Sequence, residues 1–261
     1  MVTRTLHEDA PISVYWQPGC TSCLRTKEFL TRHGVPFISR NVLEDGSALG
    51  ELARFGLKQV PIVTRGHEWV DGQVLKDVAR IAGIALGSPK LLPVSELRKR
   101  LEAILCGAER CLGQLPEREL RTQLPNRPRS YADLAFHIFN IADAFLEHEA
   151  GIPLTFDAYN RVPGPDMQTR SALQMYGRDV QRRLDEWFAG PGASRDWATT
   201  ADVYYGEQTM HEFLERTTWH AGQHTRQLMW VLQRLGIEPQ CQLGPETFEG
   251  LPMPENVWDD N

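Results

Sequence analysis

The sequence predicts an α+β chain of two domains, an alternating α/β half followed by an all-α four-helix bundle. Over residues 12–82 short apolar runs alternate with helical segments; strand signal then disappears; and the remainder holds four long segments of helical period. A length of 261 residues accommodates two cores.

ISVYW (12–16) reads as a strand, TSCLRTKEFLTRH (21–33) as a helix, VPFISRNV (35–42) as a strand and SALGELARFG (47–56) as a helix. VPIVT and HEWV form two short strands joined at Arg65-Gly66, and GQVLKDVARIAG closes the domain as a helix. The order is βαβαββα, assigned to residues 1–83. IALGSPKLLPV (84–94), punctuated by Gly87, Pro89 and Pro93, reads as a linker. In the bundle, residues 95–240, the first helix runs from Ser95, a candidate N-cap, to about Gln114. The second begins at Ser130, where SYAD fits a capping box with Asp133, and runs to about Glu149. The third covers Thr169 to Ala189, and the fourth runs from about Thr209 to Leu235, before Gly236 and Pro239. Residues 241–261, rich in Pro, Gly and acids, read as an irregular tail.

Composition excludes several classes. With 41% hydrophobic and 24% charged residues and no apolar run of bilayer length, no membrane partner is expected. MVTRTLHEDAPIS lacks the pattern of a secretory signal, so a cytoplasmic location is expected. A net charge of -6 argues against a phosphate-binding surface and hence against nucleic acid. Five cysteines, an odd number, do not form an evident disulfide framework.

Cys20 and Cys23, in PGCTSC, lie where a strand gives way to a helix. Unpaired N–H groups and the helix dipole favour a thiolate at that first turn, so Cys20 is the expected attacking thiolate and Cys23 the resolving one, with Arg25 and Lys27 adding positive charge. The competing readings are incidental thiols or half of a zinc site, which needs two more nearby ligands. VYWQPGCTSCLRTKEFLTRHGVPF, followed by QVPIV and VDGQVLKDVARIAG, resembles the glutaredoxin family, including its NrdH-like members, over about residues 12–83. The resemblance implies a thioredoxin-like α/β domain with a cis Pro61 facing the cysteines. It also implies that the backbone of Val60 holds a glutathione-like peptide, with Asp71 and Gly72 toward its amine end. Here Asp71-Gly72-Gln73-Val74 replaces the family's glycine and Asp pairs, and Thr21-Ser22 replaces Pro-Tyr between the cysteines.

In the fourth bundle helix, Phe213, Thr217, His220, His224, Leu228, Val231 and Leu235 share one face. His137 sits in the stripe Leu134, His137, Ile138, Ile141, Phe145 of the second. Two imidazoles at i, i+4 and a third from a facing helix form a three-histidine set with open positions. The alternative is core histidines hydrogen-bonded to neighbours, and His148 is a rival third ligand. LAFHIFNIADAFLEHE and YYGEQTMHEFLERTTWHAGQHTRQLMWVL resemble the DinB-like (YfiT-like) superfamily over about residues 94–240. Its motif transfers to His137, His220 and His224 as metal ligands. Members include S-transferases and a maleylpyruvate isomerase that use low-molecular-weight thiols.

Cys106 and Cys111, five apart, do not share a helix face and are expected to pack singly, and no role is assigned to Cys241. Trp219 and Trp230 read as core. The long loop GIPLTFDAYNRVPGPDMQ is expected to cover the metal. Arg118, Arg121, Arg127 and Arg129 either hold substrate carboxylates or form an ordinary solvated loop.

The leading functional expectation is a thiol-dependent metalloenzyme, performing glutathione-type S-transfer or isomerisation at the three-histidine site. Its cofactors are a divalent metal (zinc first, nickel or iron fitting the same donors) and glutathione or another low-molecular-weight thiol. Its partners are that thiol and an electrophilic or disulfide substrate. A second expectation is a thiol-disulfide oxidoreductase whose bundle docks a client or forms a homodimer. A third is a metal- or redox-sensing binding module without turnover.

Overall fold

β1 (Ile12–Trp16) pairs in parallel with β2 (Phe37–Asn41) and antiparallel with β3 (Ile62–Arg65), which pairs antiparallel with β4 (Glu68–Asp71). Strand order is therefore β2-β1-β3-β4. Alternation along β1 divides the core: Ile12 and Val14 pack with Phe29, Leu30, Val63, Val78 and Ile81, while Tyr15 packs with Ala48, Leu52 and Ile62. The first face is covered by α1 (Thr21–Arg32) and α3 (Leu75–Ala82), the second by α2 (Gly46–Arg54). This is the expected βαβαββα order in a thioredoxin-like arrangement, with Val60–Pro61 cis. α3 ends at Gly83, whose φ of 71° is the left-handed geometry that glycine adopts without a Cβ penalty.

The computed structural model describes residues 10–87, 90–241 and 243–259 and divides the chain into Met1–Pro89 with Pro254–Asn261, and Lys90–Met253. Residues 88 and 89 of the expected linker, and most of the amino-terminal segment read for a signal, lie outside the described residues. No helix of the described residues is long and apolar enough to cross a membrane.

In the second unit α4 (Val94–Gln114), α5 (Tyr131–Glu149), α7 (Arg170–Ala189) and α8 (Met210–Arg234) form the bundle. α8 packs against α4 and α5, and α7 closes the ring against both. Short helices α6 (Phe156–Tyr159) and α9 (Pro245–Phe248) flank it, and β5 (Thr200–Ala201) with β6 (Gln208–Thr209) forms a small ribbon where no strand was expected. α5 starts with the expected capping box: Ser130 Oγ accepts from Asp133 N, and Asp133 Oδ2 accepts from Ser130 N. α8 has a second box, Thr209 with Glu212. α4 departs from expectation. Its N-cap is Pro93, whose carbonyl accepts from Glu96 and Leu97, so Ser95 lies inside the first turn.

The expectation of singly packed cysteines fails for one residue. Cys111 on α4 is disulfide-bonded to Cys241, 130 residues away in sequence, with Cα atoms 5.6 Å apart, while Cys106 is free. Helical spacing compares Cys111 only with neighbours on its own helix, so a partner beyond α8 is invisible to it.

α5 and α7 approach closely at Gly177, where a Cβ would lie 2.6 Å from the ring of fully buried Phe139. Ala is the better helix former by about 1 kcal/mol, but overpacking costs about 1–3 kcal/mol. Phe139 is enclosed at 0% exposure and three of its ring atoms would lie within 2.8 Å of that Cβ, so overpacking should win. Gly177→Ala is expected to lower the denaturation midpoint, and an unchanged or raised midpoint in a urea titration contradicts this contact.

Candidate metal centre and thiol site

α5 and α8 present His137, His220 and His224 toward one another, exposed by only 3%, 6% and 2%. Ring centroids lie 5.6 Å apart for His137–His220, 4.8 Å for His137–His224 and 4.9 Å for His220–His224. One nitrogen from each ring falls within 4.8 Å of the other two, the one such group among the described residues. Burial depresses all three well below the ordinary histidine range, and the positive charge of Arg129 adds to this at His137 and His224, as that of Arg216 does at His220. The rings are therefore neutral at physiological pH, as ligands must be.

Hydrogen bonds orient two of the rings. His224 Nδ1 lies 2.7 Å from Gln227 Oε1, which accepts only, so Nδ1 carries a proton and Nε2 is bare. That bare nitrogen is 3.1 Å from Nε2 of His220. Nδ1 of His220 lies 3.0 Å from the hydroxyl of Tyr159, which accepts from Arg216 at 2.7 Å. A proton on Nδ1, donated to the Tyr159 oxygen, leaves Nε2 of His220 bare as well. Burial pushes the Tyr159 phenol up to about 12, so it stays protonated. Nδ1 of His137 is buried with no hydrogen-bond partner. Converging imidazole nitrogens, two of them braced from behind and one ring carrying an orphaned nitrogen, fit a divalent ion with open positions.

One residue of the long loop, Tyr159, reaches the histidines, its ring 5.4 Å from that of His220 and 5.8 Å from that of His137. Within that loop, α6 is capped by Thr155, and Asn140 on α5 donates to the carbonyls of Ala158 and Tyr159 at 3.2 Å each. Arg161 clamps the loop to α5 through Glu147 at 2.8 and 3.0 Å. His148 is not brought in: its Nε2 accepts from Asp202 N at 2.9 Å. Of the four arginines, Arg118 and Arg121 are exposed, Arg127 is half-buried and Arg129 is 8% exposed. Trp219 is core at 1% exposure, whereas Trp230 is half-buried beneath Arg234.

In the first unit Cys20 is the N-cap of α1, its sulfur accepting from Cys23 N at 3.2 Å. The two are disulfide-bonded, with Cα atoms 5.2 Å apart; Cys23 is fully buried and Cys20 half-buried. Gly72 packs on cis Pro61, where a Cβ would lie 2.8 Å away, and its carbonyl accepts from Thr26 Oγ1 on α1 at 2.6 Å. Asp71 accepts from Gln73 N at 2.9 Å, holding its own turn, and Val60 is half-buried. Lys27 differs from expectation, since it pairs with Asp259 at 2.6 Å above the Trp16 ring. Trp258 lies against Gly19, where a Cβ would meet its ring at 2.6 Å.

Sequence reading missed Tyr159, Arg216, Gln227 and the tail residues Trp258 and Asp259. Spacing offered two of them, since Arg216 lies four before His220 and Gln227 three after His224, on the same helical face. No local pattern marks the tail.

Comparison with known proteins matches both units. A family model described as DinB superfamily matches residues 97–228, and one described as Glutaredoxin matches residues 12–70. The chain is also similar to the global transcriptional regulator Spx of Bacillus subtilis (strain 168), 26% identical over 134 residues, spanning 46% of this chain and 92% of that protein.

Partners behind metal-ligating rings fix their tautomers, and their loss typically weakens metal about 10–100-fold. Tyr159→Phe is expected to weaken zinc within that range while leaving helix content intact. Competition with a chromophoric chelator measures this, and unchanged affinity removes Tyr159 from the centre.

Proposed function

The chain belongs to the DinB superfamily, and on that premise we propose that it is a thiol-dependent metalloenzyme with an attached thiol-disulfide exchanger. One observation carries the reading: three buried, neutral imidazoles from two helices turn nitrogens toward a common point. His137, His220 and His224 would hold one divalent ion, zinc first and nickel or iron with the same donors. Such an ion lowers the pKa of a bound thiol or water and polarises a carbonyl. Tyr159 and Gln227 hold two rings in register, Arg216 holds Tyr159, and the Arg161-clamped loop carries Tyr159. The reaction assigned is S-transfer or isomerisation with a low-molecular-weight thiol of the glutathione type and an electrophilic partner, in the cytoplasm.

Cys20 and Cys23 perform the second chemistry. The Cys20 thiolate attacks a mixed disulfide and releases one thiol; Cys23 attacks Cys20 and releases the other, closing the disulfide present in the structure. Two molecules of a glutathione-type thiol reopen it and leave as their own disulfide. Val60, Pro61, Asp71 and Gly72 are assigned to hold that thiol. Joining the sites on one chain raises the effective concentration of a thiol product at Cys20.

A second reading, a redox-responsive binding module without turnover, draws support from the likeness to Spx, named as a transcriptional regulator. The readings separate on one assay, steady consumption of an electrophilic aryl halide by glutathione in metal-loaded protein. It is expected to fall to background in His220→Ala and to persist in Cys20→Ser. Failure to turn over with any low-molecular-weight thiol favours the binding module. Turnover lost only in Cys20→Ser assigns the chemistry to the cysteine pair.

A further inference from the structure

After the bundle the chain returns to the first unit at Pro254 and lies along one side of α1. Glu28 fastens it: Oε2 accepts from Glu255 N at 2.6 Å, and Oε1 accepts from Asn256 N at 2.9 Å and from Asn256 Nδ2 at 3.0 Å. Arg32, at the carboxyl end of α1, pairs with Glu255 at 2.9 Å. Further along the tail, Asp259 reaches Lys27 with a side chain only 1% exposed. Trp258, 8% exposed, sets its ring against Gly19, the residue before Cys20. The tail thus runs antiparallel to α1 and brings its indole to the amino end of that helix, where Cys20 is the N-cap. Helical spacing puts Cys20 in line with this contact. Leu24, Lys27, Glu28 and Thr31 share one side of α1 at steps of three and four, and one more step of four reaches Cys20. Phe29 and Leu30 face the sheet core on the other side. Leu24 is nonetheless only 6% exposed, and it shares a groove with Trp258 and Asp259.

We propose that Trp258 is a specificity-determining residue of the Cys20–Cys23 exchanger: standing on the side of α1 that leads to Cys20, it admits a small disulfide to the half-buried sulfur and holds off a folded protein. This rests on the thiol-disulfide reading and deepens it by naming the residue that sets the size of the substrate. A thiolate must reach one sulfur of the disulfide it attacks. A small disulfide brings only a few atoms to that encounter, whereas a protein disulfide brings the backbone on both sides of each cysteine. An indole beside Gly19 occupies space that such a backbone needs, and a protein disulfide reacts only when the tail lifts.

Full-length chain is reduced beforehand and freed of reductant, so each event oxidises one Cys20–Cys23 dithiol and reduces one substrate disulfide to two thiols, with no other reactant. Cys20 Sγ attacks one substrate sulfur and releases the first thiol; Cys23 Sγ then attacks Cys20 Sγ and releases the second. Alkylation and peptide mass spectrometry follow the dithiol against hydroxyethyl disulfide, which is small and uncharged, and against insulin. Each rate is compared with that of wild type for the same disulfide. Trp258→Ala is expected to speed the insulin reaction about tenfold to a hundredfold, the bias that burying one large apolar side chain gives the closed tail, and to move the small-disulfide rate by less than about twofold. No charge changes in that variant, so the gain is steric. Trp258→Phe is expected to stay near wild type with insulin. Glu28→Ala removes the tail's fastening outside the sheet core and is expected to speed insulin alone, which keeps the test decisive where Trp258→Ala unfolds. An indole that only packs behaves differently, with both rates shifted together in Trp258→Ala and neither in Glu28→Ala. That pattern, or an unchanged insulin rate in both variants, overturns the proposal. Wild type that reacts with neither disulfide sinks the exchanger reading and this proposal with it, whereas reaction with the small disulfide and no tail-dependent change with insulin sinks the role of Trp258 alone.

Discussion

Three imidazole rings buried among apolar side chains, with nitrogens turned toward one another, are the constraint around which the bundle is organised. A buried polar atom without a partner typically costs about 1–3 kcal/mol. This site holds an orphaned Nδ1 on His137 and two Nε2 atoms only 3.1 Å apart. A core selected for stability alone would fill these positions with leucines. Much around the site fixes the rings rather than relieving them. Gln227 sets the tautomer of His224, Tyr159 and Arg216 set His220, and Asn140 and Arg161 pin down the loop that carries Tyr159. Capping boxes at the starts of α5 and α8 fix the first turns of the two helices that bear the three histidines.

The same region concentrates positive charge. Beside burial, the largest cause, Arg127 and Arg129 hold all three histidines toward the neutral form, and Arg216 does so for His220 and His224. For metal binding this is favourable, because it removes protons from the ligands. For an ion it is repulsive, because the ion would add charge where cations already stand. In the first unit, the half-buried Cys20 at a helix N-cap and the fully buried Cys23 give the pair one accessible and one enclosed sulfur.

What was legible in the sequence followed from local periodicity and capping chemistry. Alternation along ISVYW gave a strand with two faces, and the steps Phe213, Thr217, His220, His224 gave an inward stripe. Ser130 with Asp133 marked a helix start to the residue. What escaped was non-local. The Cys111–Cys241 bond joins residues 130 apart, Tyr159 reaches His220 from a loop, and Trp258 and Asp259 settle on Gly19 and Lys27 from the far end of the chain. Ser95 failed as a cap for a local reason, since Pro93 already presets the backbone before the helix.

The convergence of His137, His220 and His224 on one ion is tested most directly by X-ray absorption at the zinc edge on full-length chain reconstituted with one equivalent of zinc. Three imidazole-type nitrogens at about 2.0–2.1 Å, with an open position filled by oxygen, are the expected first shell. Sulfur neighbours at about 2.3 Å would place the ion on cysteines and contradict the three-histidine centre.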